Sequence, residues 1–247
     1  MRLTVGLILF LAAGAFSCED SDGNTADSLQ GQGGSLARFA VTDNYLYSVD
    51  NESLNVYQIL QDGSLGKLNT SLLGPGVETI FARDKWLYIG KNDAMIIYDV
   101  TTPSNPRFVS SYSHFVACDP VVVQDTLAFV TLRTSACRAS TVNTLDIINI
   151  KNPQSPELLS NYSLESPYGL GVDGPLLFVC EGDHGLKVLD VSDPFDAVMI
   201  KSYPELHAYD VIPNGGVLIL TGNDGIVQYD YSDNSAITKL STIPVQR

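Results

Sequence analysis

Apolar residues in this chain come in short, β-rich bursts separated by turn-forming residues, and no stretch shows a sustained 3.6-residue period. Between Leu170 and Tyr203, the bursts "LGV", "LLFVC", "LKVLDV" and "AVMIKSY" alternate with "DGP", "EGDHG" and "SDPFD". Val, Ile, Leu and aromatic runs bounded by Gly, Pro, Asp and Ser read as strands, because such side chains pack well on a pleated surface and Gly and Pro interrupt it. The segment predicts four antiparallel strands in about forty residues, the size of a β-propeller blade.

The same unit recurs along the chain. Tyr47 of "NYLYSVD", Tyr88 of "KWLYIGK", Phe129 of "TLAFVTL", Phe178 of "PLLFVCE" and Ile219 of "GVLILTG" follow one another at steps of 41, 41, 49 and 41 residues. A second marker, Gln58, Asp99, Asn149, Asp190 and Asp230, ends the segments "LNVYQ", "MIIYD", "LDIIN", "LKVLD" and "IVQYD" at similar spacing. Parallel β-helices use much shorter coils, and a two-sheet sandwich has no need of five equivalent copies. The expected fold is therefore all-β, a five-bladed β-propeller of four-stranded antiparallel blades. Its repeats lie near 36–76, 77–117, 118–166, 167–207 and 208–247, opening at "SLARFAV" and closing at "ITKLSTIPV".

Apolar strands ending in Asp or Asn and followed by a Pro turn, "IIYDVTTPSNP", "IINIKNPQSP" and "VLDVSDP", resemble the LVIVD repeat of secreted and surface proteins of bacteria and archaea. "CDPVVV", "YGLGVDG" and "HAYDVIP" resemble the subgroup found in Bacteroidetes lipoproteins. The resemblance implies a β-propeller at the cell surface and no particular reaction. Repeats one and five depart from the Pro-turn pattern, with "VYQILQDGS" and "YDYSDNS".

The N-terminus points to export. "MRLTVGLILFLAAGAFSC" has one early cation, Arg2, then an apolar run to Phe16 and small residues before Cys18. The run is shorter than the ~20 apolar residues that span a bilayer, and its layout is that of a secretory signal. "AFSC" resembles a lipobox, in which cleavage leaves a lipid-modified cysteine, although Ala15 stands where Leu is usual. The reading is a signal peptide over 1–17, lipidation at Cys18, an acidic glycine-rich tether over 18–34 and the propeller over 35–247. Cleavage after Ala13-Gly14-Ala15, leaving Cys18 a free thiol, is the alternative. Glu19-Asp20-Ser21-Asp22 resembles the signal that carries such lipoproteins to the outer cell surface, so the expected location is the outer membrane, with its lipid as partner through Cys18.

The formal net charge of −14 excludes a nucleic-acid binder, since phosphates demand a basic surface. In a propeller, the loop leading into each first strand and the loop between the second and third strands share one face. Cys118 and Cys137 both emerge there, and export permits a disulfide between them that would restrain the eight-residue insertion. Pairing with Cys180 is the competing connectivity; otherwise Cys180 is an unpaired, partly buried strand residue.

The same face collects the candidate ligand-binding residues Glu78, Asp119, Arg133, Tyr168, His207, Tyr209 and Asp210, together with His114, His184 and Glu181. Convergent loops on a rigid scaffold are where sites sit, and these side chains suit a sugar, a cation or a partner's basic group. The structural alternative is that the carboxylates cap backbone N–H groups and the tyrosines pack between blades. Asp119, His207 and Asp210 offer a mixed nitrogen and oxygen donor set. The oxygen-rich lining favours Ca²⁺ over Zn²⁺, but no metal motif supports either, and no cofactor is expected. No nucleophile elbow, phosphate loop or dinucleotide fingerprint is present. Two functions follow: a non-catalytic binding, adhesion or scaffold lipoprotein with a protein or glycan ligand, or a hydrolase of carbohydrates or lactones using Asp119, Asp210 and His207.

Overall fold

The computed structural model describes residues 33–114, 120–133, 143–233 and 236–245. Among them, twenty strands form five four-stranded antiparallel sheets arranged as a ring, a five-bladed β-propeller, with no helix. Blade one is β1 (Phe39–Thr42), β2 (Tyr45–Val49), β3 (Ser53–Ile59) and β4 (Leu65–Leu72). Blade two is β5 (Val77–Arg83), β6 (Trp86–Lys91), β7 (Ala94–Asp99) and β8 (Arg107–Ser113). Blade three is β9 (Val121–Gln124), β10 (Leu127–Leu132), β11 (Thr144–Asn149) and β12 (Glu157–Ser163). Blade four is β13 (Leu170–Asp173), β14 (Leu176–Cys180), β15 (Leu186–Asp190) and β16 (Val198–Tyr203). Blade five is β17 (Asp210–Asn214), β18 (Val217–Gly222), β19 (Gly225–Asp230) and β20 (Thr238–Ile243). The first strands β1, β5, β9, β13 and β17 pack beside one another around the channel.

Local chemistry repeats with the period. The first hairpin of every blade turns through a left-handed residue at the same register: Asp43, Asp84, Asp125, Gly174 and Gly215, with φ between 50° and 55°. Asp tolerates this region better than most residues because its short polar side chain bonds locally. The strand-ending acid of each repeat has an equally plain purpose. Asp99, Asn149, Asp190 and Asp230 each accept a hydrogen bond from the backbone N–H two residues on, from Thr101, Lys151, Ser192 and Ser232. The side chain thereby starts the turn that the strand needs. Blade one lacks the acid at Gln58 and makes the same bond later, from Ser64 to Asp62.

The Pro turns bind neighbouring blades together. Asn69 donates to the Ser104 carbonyl at 3.3 Å, Ser110 to the Pro153 carbonyl at 2.5 Å and Ser160 to the Pro194 carbonyl at 2.6 Å. Each outer strand thus grips the turn of the blade that follows. Blade five has no Pro in the turn between β19 and β20, and its Ile237 N–H donates to the Tyr203 hydroxyl instead.

Four apolar clusters fill the boundaries one–two, two–three, three–four and four–five. The boundary between blades five and one is different. Ile226 is 42% exposed where its counterparts Leu54, Met95, Leu145 and Leu186 are fully buried. Phe39 is 58% exposed where Ile80, Val121, Leu170 and Val211 are buried. Polar residues enter both faces, with Gln228 at the position of Val56, Ile97, Ile147 and Val188, and Ser48 at that of Ile89, Val130, Val179 and Leu220. No apolar cluster among the described residues joins these two blades; the ring is closed there by polar contacts at the channel mouth.

Candidate functional site

We call the face bearing the loops into β5, β9, β13 and β17 the top. Tyr168 and Tyr209, at the entries to β13 and β17, meet there edge to face with ring centroids 5.2 Å apart. Arg133 lies over the Tyr168 ring at 3.8 Å from its centroid, a cation–π contact. The Tyr209 hydroxyl donates to Asn223 Oδ1 at 3.0 Å. Backbone bonds hold this row in place. Tyr168 N donates to the Cys180 carbonyl, and Gly182 and Ala208 exchange bonds across the boundary of blades four and five. Gly182, with φ 59°, lies against the Tyr168 ring, where a Cβ would come within 2.6 Å of a ring carbon. Arg133, Tyr168 and Tyr209 are each half-buried, which leaves part of the stack facing solvent.

Asp210 stands beside this row but faces the ring. Its Oδ1 accepts bonds from Ser35 Oγ and Val211 N, both at 3.0 Å, and Oδ2 accepts a longer one from Leu36 N. Ser35 Oγ in turn accepts from Leu170 N at 2.7 Å. Ser35 is 1% exposed. The segment before β1, blade four and blade five are thus bound through one carboxylate and one hydroxyl. Gly34 and Gly169 line the carboxylate, and a Cβ on either would fall about 2 Å from its oxygens. Burial pushes the Asp210 carboxyl above its ordinary value, partly offset by these donors.

Among the other candidates, Glu78 is half-buried and its carbonyl accepts from Arg38 Nε at 2.9 Å, while His207 is exposed. Cys180 is a free thiol and fully buried rather than partly so; burial, with the Asp210 charge nearby, pushes its pKa well up. Cys18, Cys118, Asp119 and Cys137 lie outside the described residues. Among those described, no three His, Cys, Asp or Glu side chains are grouped to hold a metal.

Two further features go beyond the sequence reading, which placed Glu181 and His184 on the top face but not their partners. Glu181 is fully buried, accepts from Glu165 N at 2.8 Å and lies 2.5 Å from the Lys187 ammonium. That contact misses the geometry of a directed hydrogen bond and is an ion pair. Glu165 reaches Lys187 at 3.2 Å and His184 at 3.0 Å, completing a network at the blade-four loop. The signal lay in "EGDHGLK", where an acid and a cation face each other across a hairpin.

The second feature is a cavity of 150 Å³ in the channel, lined by residues of all five inner strands. Gly33 lines it from the segment before β1, Phe81, Val122 and Ile212 form part of its wall, and Arg83 and Gln124 stand where β5 and β9 reach the bottom face.

Residues 77–114, 136–163 and 169–204 match the family model of the LVIVD repeat. Over these segments the chain is similar to LVIVD repeats. The matched segments cover blades two and four and the outer strands β11 and β12 of blade three, the blades with the Pro turns. No curated protein matches the chain. Solved structures similar to it include a protein from Lactobacillus plantarum, with a TM-score of 0.64 and 16% identity over 81% of this chain and 69% of that one. The periplasmic gluconolactonase PpgL of Pseudomonas aeruginosa matches with a TM-score of 0.61 and 14% identity, over 82% and 68% of the two chains. A functionally unknown protein from Desulfotomaculum acetoxidans DSM 771 gives a TM-score of 0.68 and 10% identity, over 85% and 70%. At these identities the chain shares the fold with them and nothing finer.

Proposed function

We propose that this LVIVD-repeat protein is an exported lipoprotein whose propeller binds a protein or glycan partner on its top face without catalysis. One observation carries the reading: Asp210, which the hydrolase alternative needs as a free carboxyl, is occupied by three donors in the ring closure. What remains presented on that face is the half-buried Arg133–Tyr168–Tyr209 stack, with His207 exposed beside it. An aromatic and cationic surface of this kind suits sugar rings or a partner's side chains. In the same reading Cys18 carries the lipid, residues 19–32 separate the propeller from the outer membrane, and a Cys118–Cys137 disulfide restrains the top-face loops.

The test is a glycan array and a cross-linking screen with the purified 19–247 fragment. Binding that is lost in Tyr168→Ala and Tyr209→Ala but kept in Asp210→Asn supports the reading. Turnover of a glycoside or lactone that disappears in Asp210→Asn transfers the assignment to the hydrolase. For the disulfide, reductant should lower the melting temperature of the wild type and have no effect on a Cys118→Ala, Cys137→Ala double variant.

A further inference from the structure

The channel cavity is separate from the top-face stack and has a chemistry of its own. Phe81 and Arg83, two residues apart on β5, project to the same side of the strand and both line the cavity. Its lining is mixed: half-buried Phe81 and Ile212 offer apolar surface among polar groups. The cavity is open to solvent, and its 150 Å³ accommodates a group of about the size of benzene.

The bottom rim is polar, and its groups differ in how far they are committed. Gln124 spends its amide on the next blade, donating from Nε2 to the Gly174 carbonyl at 2.8 Å and accepting from Gly174 N at 2.9 Å. Asp173 accepts the Tyr231 hydroxyl at 2.5 Å. Arg83, half-buried at the same rim, makes no ion pair or hydrogen bond among the described residues, although a guanidinium carries five donors. A planar cation with no ion pair, beside an open cavity that offers the apolar surface of Phe81 and Ile212, is complementary to a carboxylate carrying a compact apolar body.

We infer that the channel is a binding site for small organic acids, with a ring-sized or short-chain apolar body among Phe81, Val122 and Ile212 and the carboxylate on Arg83. The net charge of −14 repels anions in general, so selectivity for them has to come from this local cation.

The experiment is calorimetric titration of the intact protein with benzoate, hexanoate and the neutral analogue benzyl alcohol, the last two reporting on shape and charge. Benzoate should bind saturably at one site, at least tenfold more tightly than benzyl alcohol. Arg83→Gln should erase that preference while leaving the melting temperature near that of the wild type. Phe81→Trp, which fills the cavity, should abolish binding of all three. Absence of saturable benzoate and hexanoate binding up to about 10 mM, well above the millimolar range of weak ligands, overturns the inference. So does equal affinity for benzoate and benzyl alcohol in the wild type, a comparison that depends on no variant folding.

Discussion

Replacing Ser35 by Ala should open the ring at its one boundary without an apolar core. The hydroxyl donates to a buried carboxylate and accepts from Leu170 N, so the substitution removes a bond to a charged group and leaves a buried N–H unpaired. The first is worth roughly 1.5–3 kcal/mol and the second roughly 1–3 kcal/mol. Because both act through the same contact they will not add fully, and a loss of about 3 kcal/mol is expected. For a domain of this size, that corresponds to a fall in melting temperature of roughly 6–12 °C. Urea denaturation at pH 7 measures it, with Ser110→Ala as the reference, since that variant loses only the bond to the Pro153 carbonyl and should cost about 1 kcal/mol. If Ser35→Ala costs no more than Ser110→Ala, the closure is not held by this contact and the reasoning fails.

Asp210 adds a pH signature. Its folded pKa is raised, so the native state holds the proton more tightly than the unfolded chain; its contribution to stability is greatest below the ordinary value of 3.8 and declines as pH rises through the raised one. Asp210→Asn should flatten that slope in denaturation curves collected across the acid range. Lys187→Met strands the buried Glu181 and should cost about 3–5 kcal/mol, most of it recovered by adding Glu181→Gln; no recovery would disprove the pairing. Burial opposes the Lys187 charge, but Glu181 and Glu165 outweigh it and hold the pKa above the ordinary 10.5. The stabilisation is therefore complete below 10.5 and is lost as pH climbs through the higher folded value, which alkaline melts will show. Asp84→Val should cost about 1–2 kcal/mol because the turn needs a left-handed residue, whereas Asp84→Gly should be neutral; equal effects would refute the assignment.

Much of the architecture was legible because it is periodic. A 41-residue step between Tyr47, Tyr88 and Phe129 specifies strands, turns and blade count together, and the left-handed Asp43, Asp84 and Asp125 keep the same step. Tyr168 and Tyr209 could be placed on one face because they occupy equivalent positions in adjacent repeats. The closure was not legible for the converse reason. Ser35 and Asp210 are 175 residues apart and belong to no repeat, and Gly33-Gly34-Ser35 has the composition of a linker. Arg83 stayed hidden because a strand residue reveals its partners only once the curvature of the whole ring is known. Its counterparts Gln124 and Asp173 are of different chemical types, so no pattern marked the position.

The place where the chain enters the ring has a mechanical consequence. Gly33 and Gly34 lead directly into the residues that bind Asp210, so tension applied through them from the N-terminal side is delivered to the Ser35 contact first. Two short side-chain bonds loaded at their end yield more readily than the strand ladders behind them, which share a load across many backbone bonds. A propeller pulled from that side should therefore part along its seam while every blade is still intact, and single-molecule extension should show a small early event before the blades unravel.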